Sequence, residues 1–224
     1  MTTTLDAYRA FLREIDEHES PSCNVGTFVY TFNSAIEEYT SINYATMDIN
    51  QKTLDDMRAI LVLDESLTFT NGEADLPEKY RHMLGLEAVL KFIVAAKGYT
   101  IDSTLTVHPK RLRTNRNGYV SANAYHEPSY KHPFFQISKE KIRVLSGTGV
   151  SVTTGKISYL EIPQTMYLNP DKTVDYTDPA NNTVLQFPLH VNFEIIKHCR
   201  KIFLENVESP RYQSSLQESV LRNE

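Results

Sequence analysis

The chain has 224 residues, which is enough for one large domain or two small ones with a hydrophobic core. Hydrophobic residues make up 41% and charged residues 23% of the chain, a composition that excludes disordered and collagen-like proteins. The net charge of −5 argues against a protein whose whole surface holds a phosphate backbone, although a local basic patch stays open. We therefore expect a folded, soluble protein.

The two cysteines, Cys23 and Cys199, are far apart and do not show metal-ligand spacing. Cys199 lies in an apolar helical stripe, which favours a reduced, buried thiol. Residues Met1 to Asp6 lack the basic start and apolar run of a secretory signal, and no window reaches the roughly 18 apolar residues of a membrane span. The sequence therefore predicts a protein that is made in the cytoplasm.

The N-terminal part, residues 1–64, has the apolar period of helices. Thr4 is predicted to cap a first helix that reaches Glu17. A second helix is predicted to bury one face, which is formed by Val25, Phe28, Phe32, Ile36 and Tyr39 and widened by Val29, Ala35 and Ile42. A third helix is predicted after Asp48, with an apolar side that extends to Leu61.

The central part, residues 65–185, is predicted to be rich in strands. Leu67 to Thr70 alternate between apolar and polar side chains before the turn signal Asn71-Gly72. Residues Tyr80 to Lys97 fit both a helical period and a period of two, and we favour a strand. Further extended runs are predicted at Phe134 to Ser138, Ile142 to Ser146 and Lys156 to Ile162. The last two flank a loop with Gly147, Gly149 and Gly155, which predicts a hairpin or a flexible tip.

The C-terminal part, residues 186–224, is predicted to be helical. One apolar face is formed by Ile195, Ile196, Cys199, Ile202, Phe203 and Val207. Ser209-Pro210 predicts the start of a further short helix that continues through Gln217 and Leu221. We expect these helices to pack back on the N-terminal ones. The predicted fold class is therefore α+β, with N-terminal and C-terminal helices forming a helical bundle and a central β-rich insertion.

The glycine-rich loop does not have the pattern of a phosphate-binding loop. Five residues separate Gly149 from Gly155, where a P-loop has four between its glycines. Ile157 follows Lys156 in place of the hydroxyl that would hold magnesium. The loop therefore does not predict a nucleotide site.

Candidate metal ligands and catalytic groups are also weak. The three ligands of a catalytic zinc need a rigid frame, whereas His126, Glu127 and His132 lie in a predicted loop. His190, and His198 beside Cys199, likewise lack a ligand pattern, and the adjacent Asp55 and Asp56 diverge by about 100° on a helix. No Gly-x-Ser-x-Gly elbow is present. The sequence therefore predicts no enzyme, no cofactor and no metal site, while an enzyme whose catalytic groups are far apart in sequence stays open as a third hypothesis.

The strongest basic patch is formed by Lys110, Arg111, Arg113 and Arg116, with Tyr119 and Tyr125 downstream. Such cations can contact phosphates while the rings stack on unpaired bases. In a chain with a net charge of −5, the same cluster also suits a solvated loop or an interface to an acidic partner surface. Nucleic-acid binding through the basic loop 108–116 stays open as the alternative function.

Several short segments, in this order, resemble a family of tailed-bacteriophage virion proteins, especially those of crAss-like and other Bacteroidetes phages. In the N-terminal third they are Phe32-Asn33-Ser34-Ala35-Ile36-Glu37-Glu38-Tyr39, Ile49-Asn50-Gln51-Lys52-Thr53-Leu54-Asp55-Asp56-Met57-Arg58 and Leu76-Pro77-Glu78-Lys79-Tyr80. Further along they are Pro128-Ser129-Tyr130-Lys131-His132-Pro133-Phe134-Phe135, Ile157-Ser158-Tyr159-Leu160-Glu161-Ile162-Pro163 and the C-terminal helix from His190 to Gln213. Together they span most of the chain.

This resemblance implies a head-to-tail connector or neck ring protein, stacked beneath the portal, through which the genome passes. The layout also resembles the tail adaptor of short-tailed phages, which implies a homo-oligomeric ring, by analogy of twelve copies. The partners implied are further copies of the chain, the portal protein, neighbouring neck or tail rings and passing DNA without sequence-specific binding. The location implied is the head-tail junction of the virion, after assembly in the host cytoplasm.

Candidate interface residues follow from the basic patch and from exposed aromatic or apolar anchors. Tyrosine-rich loops suit wet contacts with other rings, and the last helix is expected either to dock on a neighbouring ring or to pack on its own subunit. The candidates are Lys110, Arg111, Arg113, Arg116, Tyr119, Tyr125, Tyr130, Tyr212, Leu216 and Leu221.

Overall fold

The computed structural model describes residues 3–16, 23–46, 51–96, 99–112 and 127–206. The chain divides into two compact units. The helical unit consists of the described parts of Met1–Ile60 and Pro163–Glu224, and the sandwich unit consists of those of Leu61–Ile162.

The helical unit contains four α-helices within its described residues. They are α1 (Thr4–Asp16), α2 (Val25–Thr46), α3 (Gln51–Asp56), which continues into a 3₁₀ turn at Met57–Ile60, and α4 (Leu189–Asn206). The cap of α1 is Thr3 and not Thr4, because the Asp6 N–H donates to Thr3 Oγ1 at 3.3 Å while the Thr4 hydroxyl donates to the Thr183 carbonyl. The third helix is also shorter than predicted, since Leu61 already begins a strand.

Aromatic rings fill the core of the helical unit. Phe11 of α1 lies 5.2 Å from Phe28 of α2 and 5.6 Å from Phe203 of α4, measured between ring centroids. The predicted stripe of α2 is confirmed at Phe28, Phe32, Ala35, Ile36 and Tyr39, which are all buried. It is wrong at Ile42, which is 50% exposed. In α4 the predicted face is confirmed at Ile195, Ile196, Cys199 and Phe203, whereas Val207 lies outside the described residues.

A segment without regular secondary structure, residues 163–188, completes this core. It contributes Met166, Leu168 and Phe187, which are all at most 5% exposed. The Asn33 side chain of α2 holds the segment, because its amide donates to the Met166 carbonyl at 2.9 Å and its oxygen accepts from the Met166 N–H at 2.8 Å. Asn182, which lies in the segment, joins it to α1, because its side-chain oxygen accepts a hydrogen bond from the Leu5 N–H. Side-chain amides therefore fix this segment together with two isolated backbone bridges, Thr3 with Val184 and Leu168 with Asn182.

The sandwich unit contains eight strands within its described residues. They are β1 (Leu61–Thr68), β2 (Glu73–Asp75), β3 (Tyr80–Ala96), β4 (Tyr99–Val107), β5 (Lys110–Arg111), β6 (Phe134–Ser138), β7 (Lys141–Leu145) and β8 (Val150–Glu161). They form two four-stranded sheets with the orders β1-β8-β3-β4 and β2-β7-β6-β5. The strand favoured at 80–97 is confirmed as β3, and the run predicted at 134–138 is confirmed as β6.

The core of the sandwich unit takes side chains from both sheets. Leu86, Ala88 and Leu90 of β3 and Val152, Ile157 and Tyr159 of β8 represent the first sheet, whereas Ala74 of β2, Phe135 of β6 and Ile142 and Val144 of β7 represent the second. Alternate residues of each strand point to the same face, so both sheets direct one face toward this shared core.

The predicted fold class is wrong. The structure is β-rich, with two sheets and four helices that make up only 36% of it, and helices from the two ends of the chain do not form a helical bundle. Two features overturn the prediction. Residues 61–162 form a two-layer unit with a core of its own, and the non-helical segment 163–188 supplies part of the core around the helices. Only the broad α+β class is loosely consistent with the structure.

The glycine loop is not a hairpin, because β7 and β8 belong to different sheets. Gly147 and Gly149, with φ of +89° and +76°, carry the chain between the sheets through a turn that favours residues without a Cβ. Gly155 lies inside β8, where a Cβ would meet the Glu87 carbonyl and come within 2.9 Å of the Phe69 ring. Gly155 therefore permits close packing of a central strand.

Candidate interaction edges

The two sheets of the sandwich unit end in two pairs of edge strands. The short link 108–109 joins β4 to β5, and the short link 69–72 joins β1 to β2. Each link therefore brings one edge of the first sheet to one edge of the second. We name the β4 and β5 side the basic edge and the β1 and β2 side the acidic edge.

The basic edge has a regular strand in the first sheet. β4 pairs with β3 without a register shift, from Ala88 opposite Val107 to Ala96 opposite Tyr99. Its outer side has no partner strand among the described residues. Thr104, Leu105 and Thr106 are exposed, and residues 103–107 contain no charge, proline or bulge. Charges, prolines and bulges are the features with which proteins usually block an edge strand, so nothing among the described residues blocks pairing along residues 103–107 of β4.

The second sheet contributes Lys110 and Arg111 of β5 to the basic edge. Two backbone bonds anchor this short strand, because the Lys110 N–H donates to the Pro133 carbonyl at 3.0 Å and the Leu112 N–H donates to the Phe135 carbonyl at 2.8 Å. Leu112 is buried, whereas Lys110 and Arg111 are exposed and form no ion pair with the residues that the structure describes. The other predicted members of the patch, Arg113, Arg116, Tyr119 and Tyr125, lie outside those residues.

Tyr130, another predicted interface residue, is a fixed aromatic side chain on the surface of the sandwich unit. It is 40% exposed, and its ring lies 5.2 Å from that of Phe92 on β3 and 5.7 Å from Lys131 Nζ. The loop that carries Tyr130 packs closely on the glycine turn, since a Cβ on Gly147 would lie 2.6 Å from the Pro128 carbonyl oxygen. The remaining predicted interface residues, Tyr212, Leu216 and Leu221, lie outside the described part of the chain.

The acidic edge carries carboxylates from both sheets. Asp64 and Glu65 of β1 and Asp75 of β2 are exposed, and Glu73 of β2 is half-buried. The register of β1 shifts between Val62 and Glu65, where Asp64 has a φ of 55°. β1 is therefore irregular at its start and regular from Glu65 to Thr68.

Two cations and one tyrosine neighbour these carboxylates, and a third cation, Lys156, lies on the adjacent strand β8. Arg143 of β7 lies 3.8 Å from Glu73, and Lys141 of β7 lies 3.8 Å from Asp75, so both ion pairs are long and solvent-exposed. Lys156 of β8 stands opposite Ser66 on one side and Glu87 on the other. The Tyr159 hydroxyl donates to Glu65 at 2.6 Å; burial and this carboxylate raise the pKa of Tyr159. The edge therefore keeps an excess of negative charge.

A second polar cluster lies in the helical unit, between α2, α3 and α4. His190 Nε2 is 2.8 Å from Asp56 Oδ1, and the Tyr39 hydroxyl donates to Glu194 at 3.2 Å. Burial and the nearby Glu194 raise the pKa of Tyr39. Asp55, which precedes Asp56 on α3, is exposed, and its carboxylate accepts a hydrogen bond from the Gln51 side chain. The two adjacent carboxylates therefore diverge, as expected for neighbours on a helix. The cluster ties α3 to the start of α4, and no Ser, Thr or Cys side chain of the described residues forms a hydrogen bond with His190.

The helical unit also has an open pocket of about 190 Å³. Its walls include Tyr30 and Glu37 of α2 and Gln164 of the segment 163–188. Within the described ranges, no three His, Cys, Asp or Glu side chains are arranged to hold a metal ion. No described helix combines the length and the apolar character that crossing a bilayer requires.

No protein family model matches the chain, and no curated protein matches its sequence. Sequence reasoning had found Lys110, Arg111 and Tyr130 but missed β4 and the whole acidic edge. The alternation of Thr104, Leu105, Thr106 and Val107 is a signal that could have identified β4. The acidic edge has a signal too, because its four carboxylates lie within residues 64–75, a stretch without Lys or Arg, although their place at a sheet edge follows only from the sheet order.

Proposed function

We propose that the chain is a structural virion protein of a tailed bacteriophage, which forms a ring in the head-to-tail connector as a portal adaptor or a neck or tail ring. The observation that supports this role best is the presence of two unlike edges on one folded unit. A subunit of a closed ring needs two different surfaces, one for each neighbour, because the contact is head-to-tail. The basic and acidic edges supply such a pair.

The resemblance of short segments to virion proteins of Bacteroidetes phages supports the same role. Two of these segments contribute to the sandwich unit near its edges: Leu76–Tyr80 follows β2, and Pro128–Phe135 holds Tyr130 and leads into β6. In this role the chain acts without catalysis, and its partners are further copies, the portal and adjoining rings. By analogy with short-tailed phage adaptors, the ring has twelve copies and lets DNA pass without reading its sequence.

Quantitative mass spectrometry of purified particles of the phage that encodes this chain tests the proposal. Isotope-labelled peptides would give the number of copies per particle, with the major capsid protein as the internal standard. We expect a fixed number near that of a single ring, about twelve, after extensive washing. Finding the chain in the infected-cell lysate but not in washed particles would overturn the proposal.

Nucleic-acid binding through the basic edge is the second candidate, favoured by the exposure of Lys110 and Arg111. Binding that depends on phosphate contacts weakens steeply with salt, by roughly one unit of log–log slope for each contact. A shift of labelled DNA that is salt-dependent and disappears in Lys110→Ala/Arg111→Ala would support this candidate. Absence of a shift at low salt would exclude it.

A further inference from the structure

We infer that the basic edge of one copy docks on the acidic edge of a second copy, so that Lys110 and Arg111 face the carboxylates of β1 and β2. This inference rests on the proposed function, because it identifies the contact between neighbours in the ring. It goes further by assigning that contact to particular strands of the sandwich unit and to a particular sign of charge on each side.

The charges of the two edges are complementary. The basic edge presents Lys110 and Arg111 with His108 beside them, and residues 103–107 of β4 add no charge. The acidic edge presents Asp64, Glu65, Glu73 and Asp75. Its own cations do not cancel these groups, since Lys141 and Arg143 pair only at 3.8 Å and Lys156 also neighbours Glu87. Two basic edges would repel each other, so the charges favour an unlike pair over a two-fold dimer.

One copy cannot satisfy both edges by itself. β1 and β4 are the outermost strands of a four-stranded sheet, and three strand spacings separate them by about 14 Å. The charges of the edges therefore attract a neighbour and not each other. A contact between unlike surfaces repeats from copy to copy and closes into a ring when the rotation allows it.

Strand direction also suits this contact. All three pairings in the first sheet are antiparallel, so β4 runs opposite to β1. A neighbour related by rotation about an axis along the strands would present its β1 antiparallel to β4. The open, unblocked backbone of β4 could then pair with the regular part of β1, Glu65–Thr68, and extend the sheet across the contact.

Charge-reversal variants test the inference. The basic-edge variant is Lys110→Glu/Arg111→Glu, and the acidic-edge variant is Glu73→Lys/Asp75→Lys. A combined variant carries all four changes, and Lys172→Glu, an exposed position in the segment 163–188 of the helical unit, is the charge-reversal control. Thermal unfolding of each variant would first show that it folds. Self-association is then measured by sedimentation at low and high salt.

We expect each edge variant to associate roughly tenfold or more weakly than the natural chain at low salt, because like charges then meet. Mixing the two edge variants, or combining the changes in one chain, should restore association, and Lys172→Glu should leave it unchanged. Edge variants that associate as strongly as the natural chain, or a mixture that fails to recover, would overturn the inference.

Zero-length cross-linking of amines to carboxylates gives a second readout that does not depend on any variant. A mixture of ¹⁴N- and ¹⁵N-labelled chains distinguishes links between copies from links within one. We expect Lys110 to link to Glu65, Glu73 or Asp75 of the other isotope at low salt. The absence of these links between copies, at concentrations where the chain associates, would contradict the inference. Links from Lys110 to carboxylates of the same copy only would contradict it too.

The failures of the two proposals are distinguishable. If particles contain a ring of the chain but the edge variants associate normally, the edge contact is wrong and the virion role stands. If washed particles lack the chain while the edges still link, the virion role is wrong and self-association through the edges stands. Loss of DNA binding without loss of self-association in the basic-edge variant would also overturn the edge contact.

Discussion

The helical unit and the sandwich unit use their polar groups in different ways. In the helical unit, Asn33, Asn182 and Asn192 form hydrogen bonds to backbone groups of the same unit, around a core of aromatic rings. In the sandwich unit, exposed charged groups of opposite sign lie at the two edges, while the core is aliphatic for the most part. The helical unit therefore uses these amide groups for its own stability, whereas the sandwich unit leaves its edge charges available for contact.

The largest expected effect comes from removing an aromatic ring from the core of the helical unit. Phe32 is fully buried and stacks at 5.2 Å on Phe28, so Phe32→Ala should lower the free energy of unfolding by about 3–5 kcal/mol. Hydrogen exchange measured peptide by peptide should show the loss in α1, α2 and α4. An equal loss of protection in β3 and β8 would break the comparison, because the two units would then share one stability.

A smaller effect is expected from filling the close contact within the sandwich unit. Gly155→Val places carbon atoms against the Glu87 carbonyl and the Phe69 ring, so it should destabilise the sandwich unit by about 1–3 kcal/mol. Gly85→Val is the matched control, since a Cβ at Gly85 in β3 meets nothing within 4 Å. Denaturant unfolding of both variants checks this prediction. Equal destabilisation by Gly155→Val and Gly85→Val would contradict the close contact at Gly155 as the cause.

The inward polar groups of the helical unit should each contribute less. Asn33→Ala removes both hydrogen bonds to Met166 and leaves the Met166 N–H and carbonyl without these partners. We expect the free energy of unfolding to fall by about 1–2 kcal/mol. Ser34→Ala, which loses only a bond to the Tyr30 carbonyl one turn earlier, should be near neutral. Thermal unfolding of the pair sharpens the comparison. It would weaken if the two variants lost the same stability.

The smallest effect is expected at alkaline pH. Burial raises the pKa of the Cys199 thiol above its ordinary value of 9.0, and the neighbouring Cys23 acts in the same direction. The unfolded chain therefore releases a proton that the folded chain keeps, so the contribution of this thiol to the free energy of unfolding is fully present below about pH 9 and declines above it. Cys199→Ala should have a flatter decline, measured by urea unfolding between pH 8 and about 10. An unchanged pH dependence would contradict the buried thiol.

Sequence reasoning predicted those elements whose pattern is local. The stripe of α2 and the face of α4 each follow from one helical period. Residues Tyr80 to Lys97 fit both a helical period and a period of two, and the strand favoured there is confirmed as β3. Leu61 was misassigned because its apolar side chain extends the pattern of the preceding helix. Gly155 was read as part of a loop because a glycine that permits close packing looks the same in sequence as one that permits a turn.

The candidate site was harder to predict, because its parts meet only in three dimensions. Lys110 and Arg111 form a visible cluster, whereas Asp64 and Glu73 lie on strands of different sheets. Asp56 and His190 are 134 residues apart, so their contact had no local signal either. Each charge cluster belongs to one segment of the sequence, but its position at one of two opposite edges is a property of the sheet order.

The most direct test of the edge contact is cryo-electron microscopy of the native phage particle, with the rotational symmetry of the connector left free during reconstruction. The account predicts a ring of this chain around the DNA channel in which Lys110 and Arg111 of each copy lie against Asp64, Glu65, Glu73 and Asp75 of the next. A ring in which both edges of the sandwich unit face solvent would contradict it, and so would a particle without such a ring.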